Sequence, residues 1–269
     1  MRFILEILDS KMIRPEGYGS LEVSWFHYLS LLIVGILIIQ CTISFKRHTD
    51  QKVKKTILIT GIVMIVLEIY KQIIFTYQAN AYQWYAFPFQ FCSTPMYLFI
   101  VYGLNKNEKI DHYLISFLAT YSTFAGLAVM LYPADVFVDT IGINIQTMIH
   151  HGAMVVIGIS LLLAKMKLNY KYLFKGFVVF AILGGIAIIA NTLFNLQNID
   201  ATFNMFFINE RFENHLPILG SIQPLVPHFI FLVIYFVGFS LVATLMFTLG
   251  LFFRQLLYKE HIRFIELFA

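Results

Sequence analysis

The sequence predicts an all-α membrane protein: a polytopic helical bundle of about seven transmembrane helices, with its N-terminus outside and its C-terminus cytoplasmic. Three observations carry that expectation. Of 269 residues, 59% are hydrophobic and only 13% charged, where a soluble domain carries roughly 25% charged residues. Several apolar runs exceed the roughly 18 residues that cross a bilayer core as a helix. The basic residues gather in alternate links between those runs.

Taken in order, residues 1–22 mix charge with short apolar pieces and read as an extracytoplasmic tail, not a cleavable signal. Within them Phe3, Ile4, Ile7 and Leu8 follow a helical stripe, which fits a short interfacial helix or a frayed tail. The first span, 23–45, leads into Lys46, Arg47, Lys52, Lys54 and Lys55. The second, 56–77, contains Glu68 and Lys71. The third, 88–104, starts at Pro88, contains Cys92 and is followed by Lys106 and Lys109. The fourth, 111–132, leads into a link without Lys or Arg. The fifth, 142–164, contains His150 and His151 and precedes Lys165, Lys167, Lys171 and Lys175. The sixth, 173–195, closes on Asn191 and Asn195. A longer segment, 196–224, holds Arg211 as its one basic residue. The seventh, 225–252, opens near His228 and is followed by a 253–269 tail with Arg254, Lys259 and Arg263. The chain thus reads as one multipass domain, 1–269, with a 23–252 bundle.

One set of links holds 14 Lys and Arg and the other four, so the positive-inside rule makes the first set cytoplasmic. The net charge of +4 comes mostly from these links, and no basic run interleaved with aromatics suggests a nucleic-acid partner. The two cysteines, Cys41 and Cys92, fall toward opposite faces and are too few for a disulfide framework, so both are expected to be free.

The polar residues inside the spans fall on one side. At about 1.5 Å per residue, Cys92 lies about 6 Å below Pro88, His150 and His151 about 12–14 Å below Gly142, and Lys71 and Glu68 about 9 and 14 Å from Tyr77. All fall in the outer half of a hydrocarbon core about 30 Å thick. The inner halves are nearly all apolar, so the pattern predicts one polar cavity toward the outer leaflet.

A thiol with an imidazole nearby is the minimum for nucleophilic catalysis, which makes Cys92, His150 and His151 candidates. Consecutive histidines point about 100° apart on a helix, so one of them faces a given partner. Gly152 permits close helix approach beside a buried His151. Pro95 removes a backbone donor and should distort the helix beside the thiol. Glu68 and Lys71, three apart, either neutralise each other or orient the histidines. Asn191 and Asn195 read as interhelical hydrogen-bond glue, His228 as structural, and Gln90 as interfacial. Two His and one Cys lack the further ligand that would complete a zinc site, so neither metal nor cofactor is expected.

An ordered set of motifs resembles a known group. They are Phe87-Pro88-Phe89-Gln90-Phe91-Cys92-Ser93, the His150-His151-Gly152 run, Asn191, the Asp200 to Phe207 stretch with Asn204, and the segment from Pro217 to Pro227. The chain resembles the YwaF family of bacterial integral membrane proteins, which is similar to the eukaryotic transmembrane protein 164 acyltransferases. Family members commonly carry His or Glu two residues before the thiol, where Gln90 stands here. The resemblance implies acyl transfer between membrane lipids, with Cys92 as nucleophile and a base at His150 or His151, His151 being favoured by the His-Gly match. Such a step would need oxyanion donors such as Gln90, Asn191 or backbone N–H groups freed near Pro95. On that basis the expectation is a lipid acyltransferase in the cell membrane, with membrane lipids as partners. A transporter or lipid-binding protein using the same cavity without chemistry, or a membrane scaffold, are the alternatives.

Overall fold

The computed structural model describes residues 2–197, 199–214 and 216–258, and among them the architecture is all-helical apart from one isolated β-bridge. A short helix α1 (Arg2–Leu8) is followed by α2 (Leu21–Arg47) and α3 (Asp50–Ala79). Then come α4 (Thr94–Leu104) and α5 (Glu108–Phe117), the latter continuing through a π-helical turn, Leu118–Ser122, into α6 (Thr123–Leu131). Helices α7 (Ile141–Ala164), α8 (Tyr170–Leu196), a one-turn α9 (Leu219–Ile222) and α10 (His228–Tyr258) complete the chain. Among the described residues six helices are long and apolar enough to cross a membrane: α2, α3, the continuous α5–α6, α7, α8 and α10.

The expected third span is corrected. Residues 88–93 are turns, and the helix begins at Thr94 with Pro95 in its first turn, leaving 11 residues. The physical reason is proline's fixed φ and missing N–H, which suit a first helical turn and not an interior. Cys92 therefore sits in a turn capped onto α4, not inside a helix. The last span also runs beyond the expected 252, to Tyr258, whereas Lys259 and Arg263 lie outside the described residues.

Contacts between the helix ends sort the loops. At one end Lys165 pairs with Asp50 at 2.6 Å, and Lys54 pairs with Asp111 and donates to the carbonyl of Asn105. There, too, Lys46 lies over the Tyr258 ring and Arg254 donates to Met166. The ends rich in Lys and Arg thus converge. At the opposite end residues 9–18 strap across the α6–α7 link: Lys11 bridges Thr140, Arg14 donates to Ala134 and Tyr18 to Leu131. Buried His27 on α2 ties this strap down, one ring nitrogen 2.8 Å from the Met130 carbonyl and the other facing that of Gly17.

Helix α7 is the centre of the bundle, 72% of its apolar window being buried against 11% for α2. It packs on α2, α3, α6 and the π-turn. Two glycines make the approach possible: a Cβ at Gly152 would strike Val34 of α2, and one at Gly126 of α6 would strike the His151 carbonyl. Beside α7 an aromatic cluster fills the interior, with Phe180 within 5.3 Å of Phe91 and 4.8 Å of Tyr121, ring centre to ring centre.

Candidate functional site

Polar side chains on α7 recur at i and i+4: Gln146 with His150, and Thr147 with His151, all four buried. This double row faces α3 and the turn before α4. From α3 comes Glu68, 3% exposed, whose carboxylate accepts from Lys71 at 2.8 Å, Gln72 at 2.8 Å and Gln146 at 3.4 Å. The Gln72 amide also donates to the Ala86 carbonyl at 2.7 Å, tying α3 to the chain that leads to Cys92. Of the two roles expected for the Glu68–Lys71 pair, mutual neutralisation is the contact seen; the hydrogen bonds that orient the histidines come from the Cys92 and Thr147 carbonyls.

His150 Nε2 lies 2.9 Å from the carbonyl oxygen of Cys92, and His151 Nδ1 lies 2.8 Å from that of Thr147. A carbonyl only accepts, so each of these nitrogens carries a proton and donates. Each neutral ring then keeps its lone pair on the other nitrogen, and both of those atoms, His150 Nδ1 and His151 Nε2, are buried without a hydrogen-bond partner. An unsatisfied buried polar atom costs about 1–3 kcal/mol. The rings stand 5.3 Å apart. Both histidines are buried, whereas Ile141, Ile145 and Ile149 form the exposed stripe of α7.

The Cys92 thiol is half-buried and free, as is Cys41. Neither imidazole hydrogen-bonds the thiol; the contact of His150 is with the Cys92 main chain.

The amides flagged in the sequence hold a loop. Gln90 donates to the Asn204 carbonyl at 3.0 Å and accepts from the Phe206 N–H at 2.9 Å. Asn191 closes the same two-way bond on the Met205 peptide, at 3.0 and 2.9 Å. Asn195 and Asn209 exchange amide bonds at 3.0 and 3.1 Å, and Asn204 accepts from the Asn209 N–H. These amides are glue, but between helices and the 203–209 loop and not between helices alone. They hold Phe206 and Phe207 at φ 60° and 57°, a left-handed conformation that is strained for bulky residues. His228 lies at the opening of α10, its Nδ1 buried without a partner.

Sequence reasoning missed Gln72, Gln146 and Thr147, which extend the polar stripes of Glu68 and the histidines by one turn and could have been found that way.

No curated protein and no solved structure matches the chain. The model of the TMEM164 family matches residues 22–251, the stretch that holds Glu68, Cys92, His150, His151 and Asn191 and all but the ends of the six long helices; this multi-pass membrane protein belongs to the TMEM164 family.

Proposed function

We propose that the protein is a lipid acyltransferase of the cell membrane in which Cys92 is the nucleophile and His151 the base. The observation that carries this reading is the pair of buried imidazoles, each fixed by a carbonyl in one tautomer, with their basic nitrogens unpartnered beside a free thiol. Two lone pairs kept from water and from protein donors are poised to take a proton, the role of a general base. His150 holds the Cys92 main chain and is a positioning residue. In this reading His151 Nε2 receives the thiol proton from a staggered Cys92 rotamer that faces it.

Glu68 and Lys71 supply a balanced charge pair at the site's edge. A groove of about 560 Å³ between α3 and α4, lined by Glu68, Gln72, Pro88 and Met96, offers lipid a lateral approach. Gln90 and Asn191 each give one amide N–H to the 203–206 loop and keep a second, so they and the backbone N–H groups near Pro95 stay candidates for the oxyanion.

The test is purified protein in lipid nanodiscs, incubated with an isotope-labelled phospholipid and a lysolipid. Wild type should transfer the labelled chain, and Cys92→Ala, equally well folded, should not. Transfer at the wild-type rate by Cys92→Ala would end the nucleophile assignment.

A further inference from the structure

We propose that Lys167 and Lys175 bind the phosphate of an anionic phospholipid in the leaflet at the Lys- and Arg-rich face, independently of any chemistry at Cys92. Along the sequence these lysines count only toward topology; the fold gathers them around one ring. The Lys175 ammonium stands 4.3 Å from the centre of the Tyr172 ring, and that of Lys167 stands 5.2 Å from the same centre. His112 of α5 meets this ring edge-on at 4.8 Å, and Lys175 also lies 5.4 Å from the centre of the Tyr113 ring. Lys171 stands on the same face of α8, one turn before Lys175.

The cluster lacks a counter-charge. Elsewhere on this end of the bundle Lys54 pairs with Asp111 and Lys165 with Asp50. Among the described residues neither Lys167 nor Lys175 makes an ion pair, although Glu108 and Asp111 lie on the adjoining α5. Asp111 is held by Lys54 and Asn105, and Glu108 is exposed in the first turn of its helix. An aromatic face attracts an ammonium through its quadrupole, but it carries no net charge and leaves two like charges repelling each other. A phosphate brings the negative charge, and its oxygens accept from both lysines.

The position is that of a lipid headgroup with chains beside it. At about 1.5 Å per residue, Lys175 lies about 8 Å along α8 from Tyr170 and is half-buried. Its stem therefore runs along apolar surface while the ammonium reaches back to the interface. Further along α8, Ile182, Ile186, Ile189 and Leu193 continue the stripe of Lys175, each 46–60% exposed. Gly184, half a turn round, packs on Phe236 of α10, so this stripe faces away from α10 and toward lipid. A phosphate on the lysines sets its acyl chains along the stripe. That continuity of charge and apolar surface fits a phospholipid better than a free phosphate.

The experiment titrates the full-length protein, released from detergent micelles for native mass spectrometry, with phosphatidylglycerol, phosphatidylcholine or inorganic phosphate. Wild type should hold phosphatidylglycerol in preference to the other two. Lys167→Gln with Lys175→Gln should weaken that binding about 30-fold, about fivefold for each ammonium near the membrane surface. The equal charge loss of Lys52→Gln with Lys55→Gln, on exposed lysines of α3, should change it by less than about threefold. No loss in the first double variant, or an equal loss in both, overturns the site, as does phosphatidylglycerol held no better than phosphatidylcholine. Inorganic phosphate bound as tightly as the lipid overturns the lipid assignment. Wild type is also irradiated with phosphatidylglycerol carrying a diazirine near the top of one acyl chain. Crosslinks should fall within residues 175–189 of α8; crosslinks confined to other helices overturn the proposal, even where the lysine variants fail to fold.

Discussion

At Glu68 three donors from two helices, Lys71, Gln72 and Gln146, converge on one carboxylate inside the bundle. Removing one partner of a buried pair leaves the other charge uncompensated, at roughly 3–5 kcal/mol. Lys71 keeps 18% of its side chain exposed, so Lys71→Met should cost less, about 2–3 kcal/mol, and Glu68→Gln together with Lys71→Met should recover most of it. Thermal unfolding in detergent reads both. His151→Gln should lower acyl transfer by about 10²–10⁴-fold, the span of a general base, with little change in the midpoint. His150→Gln, losing its bond to Cys92, should lower activity and stability together. At this scale the sequence is informative wherever an ionisable group interrupts an apolar run, as at Glu68, Cys92 and His150. It is silent on tautomers and free nitrogens, because these are set by carbonyls that only the folded backbone brings near.

Among the elements, the six long helices were legible because length and hydropathy alone decide whether a segment can span a bilayer. Helix α4 was not, and neither was the ordered 200–214 loop. The Gln90–Asn204 bond joins residues 114 apart, a pairing no local pattern announces. The Asn191 side chain satisfies both polar atoms of the buried Met205 peptide. Asn191→Ala should therefore orphan two groups, at about 1–3 kcal/mol each, and free the strained turn at Phe206. Hydrogen exchange measured along 203–209 should rise sharply while that of α7 stays unchanged; equal protection in both would show that the loop stands without the clamp.

For the molecule as a whole, the basic ends gather on one face, and the positive-inside rule assigns that face to the cytoplasm. With Cys41 replaced by Ser, a cysteine at Lys106 should react with impermeant maleimide only in broken cells, and one at Asp135 in intact cells. The reverse pattern would invert the topology. The opposite face depends on Asp9. Burial alone would raise its carboxyl, but hydrogen bonds from Gln78, Lys11 and Thr140 and the Lys11 charge outweigh that and hold it below the ordinary 3.8. A carboxylate depressed in the folded state stabilises above its unfolded value and loses that contribution as pH falls through the folded one. Amide protection at Met12 and Ile141 should thus persist at neutral pH and fall as pH drops below about 3.8, and Asp9→Asn should remove that dependence.

The strap also sets an order of events during biogenesis. Lys11 leaves the ribosome 129 residues before its partner Thr140, and at about 5–20 residues per second that delay is on the order of ten seconds. Throughout it the strap stays open, and α1 can dock only on α3, through the Tyr70 bond to Leu8, with Phe3 and Ile4 outward. A bulky reporter fused ahead of α1 would hold this latch open after synthesis ends, whereas the same reporter placed after α10 would leave it free to shut.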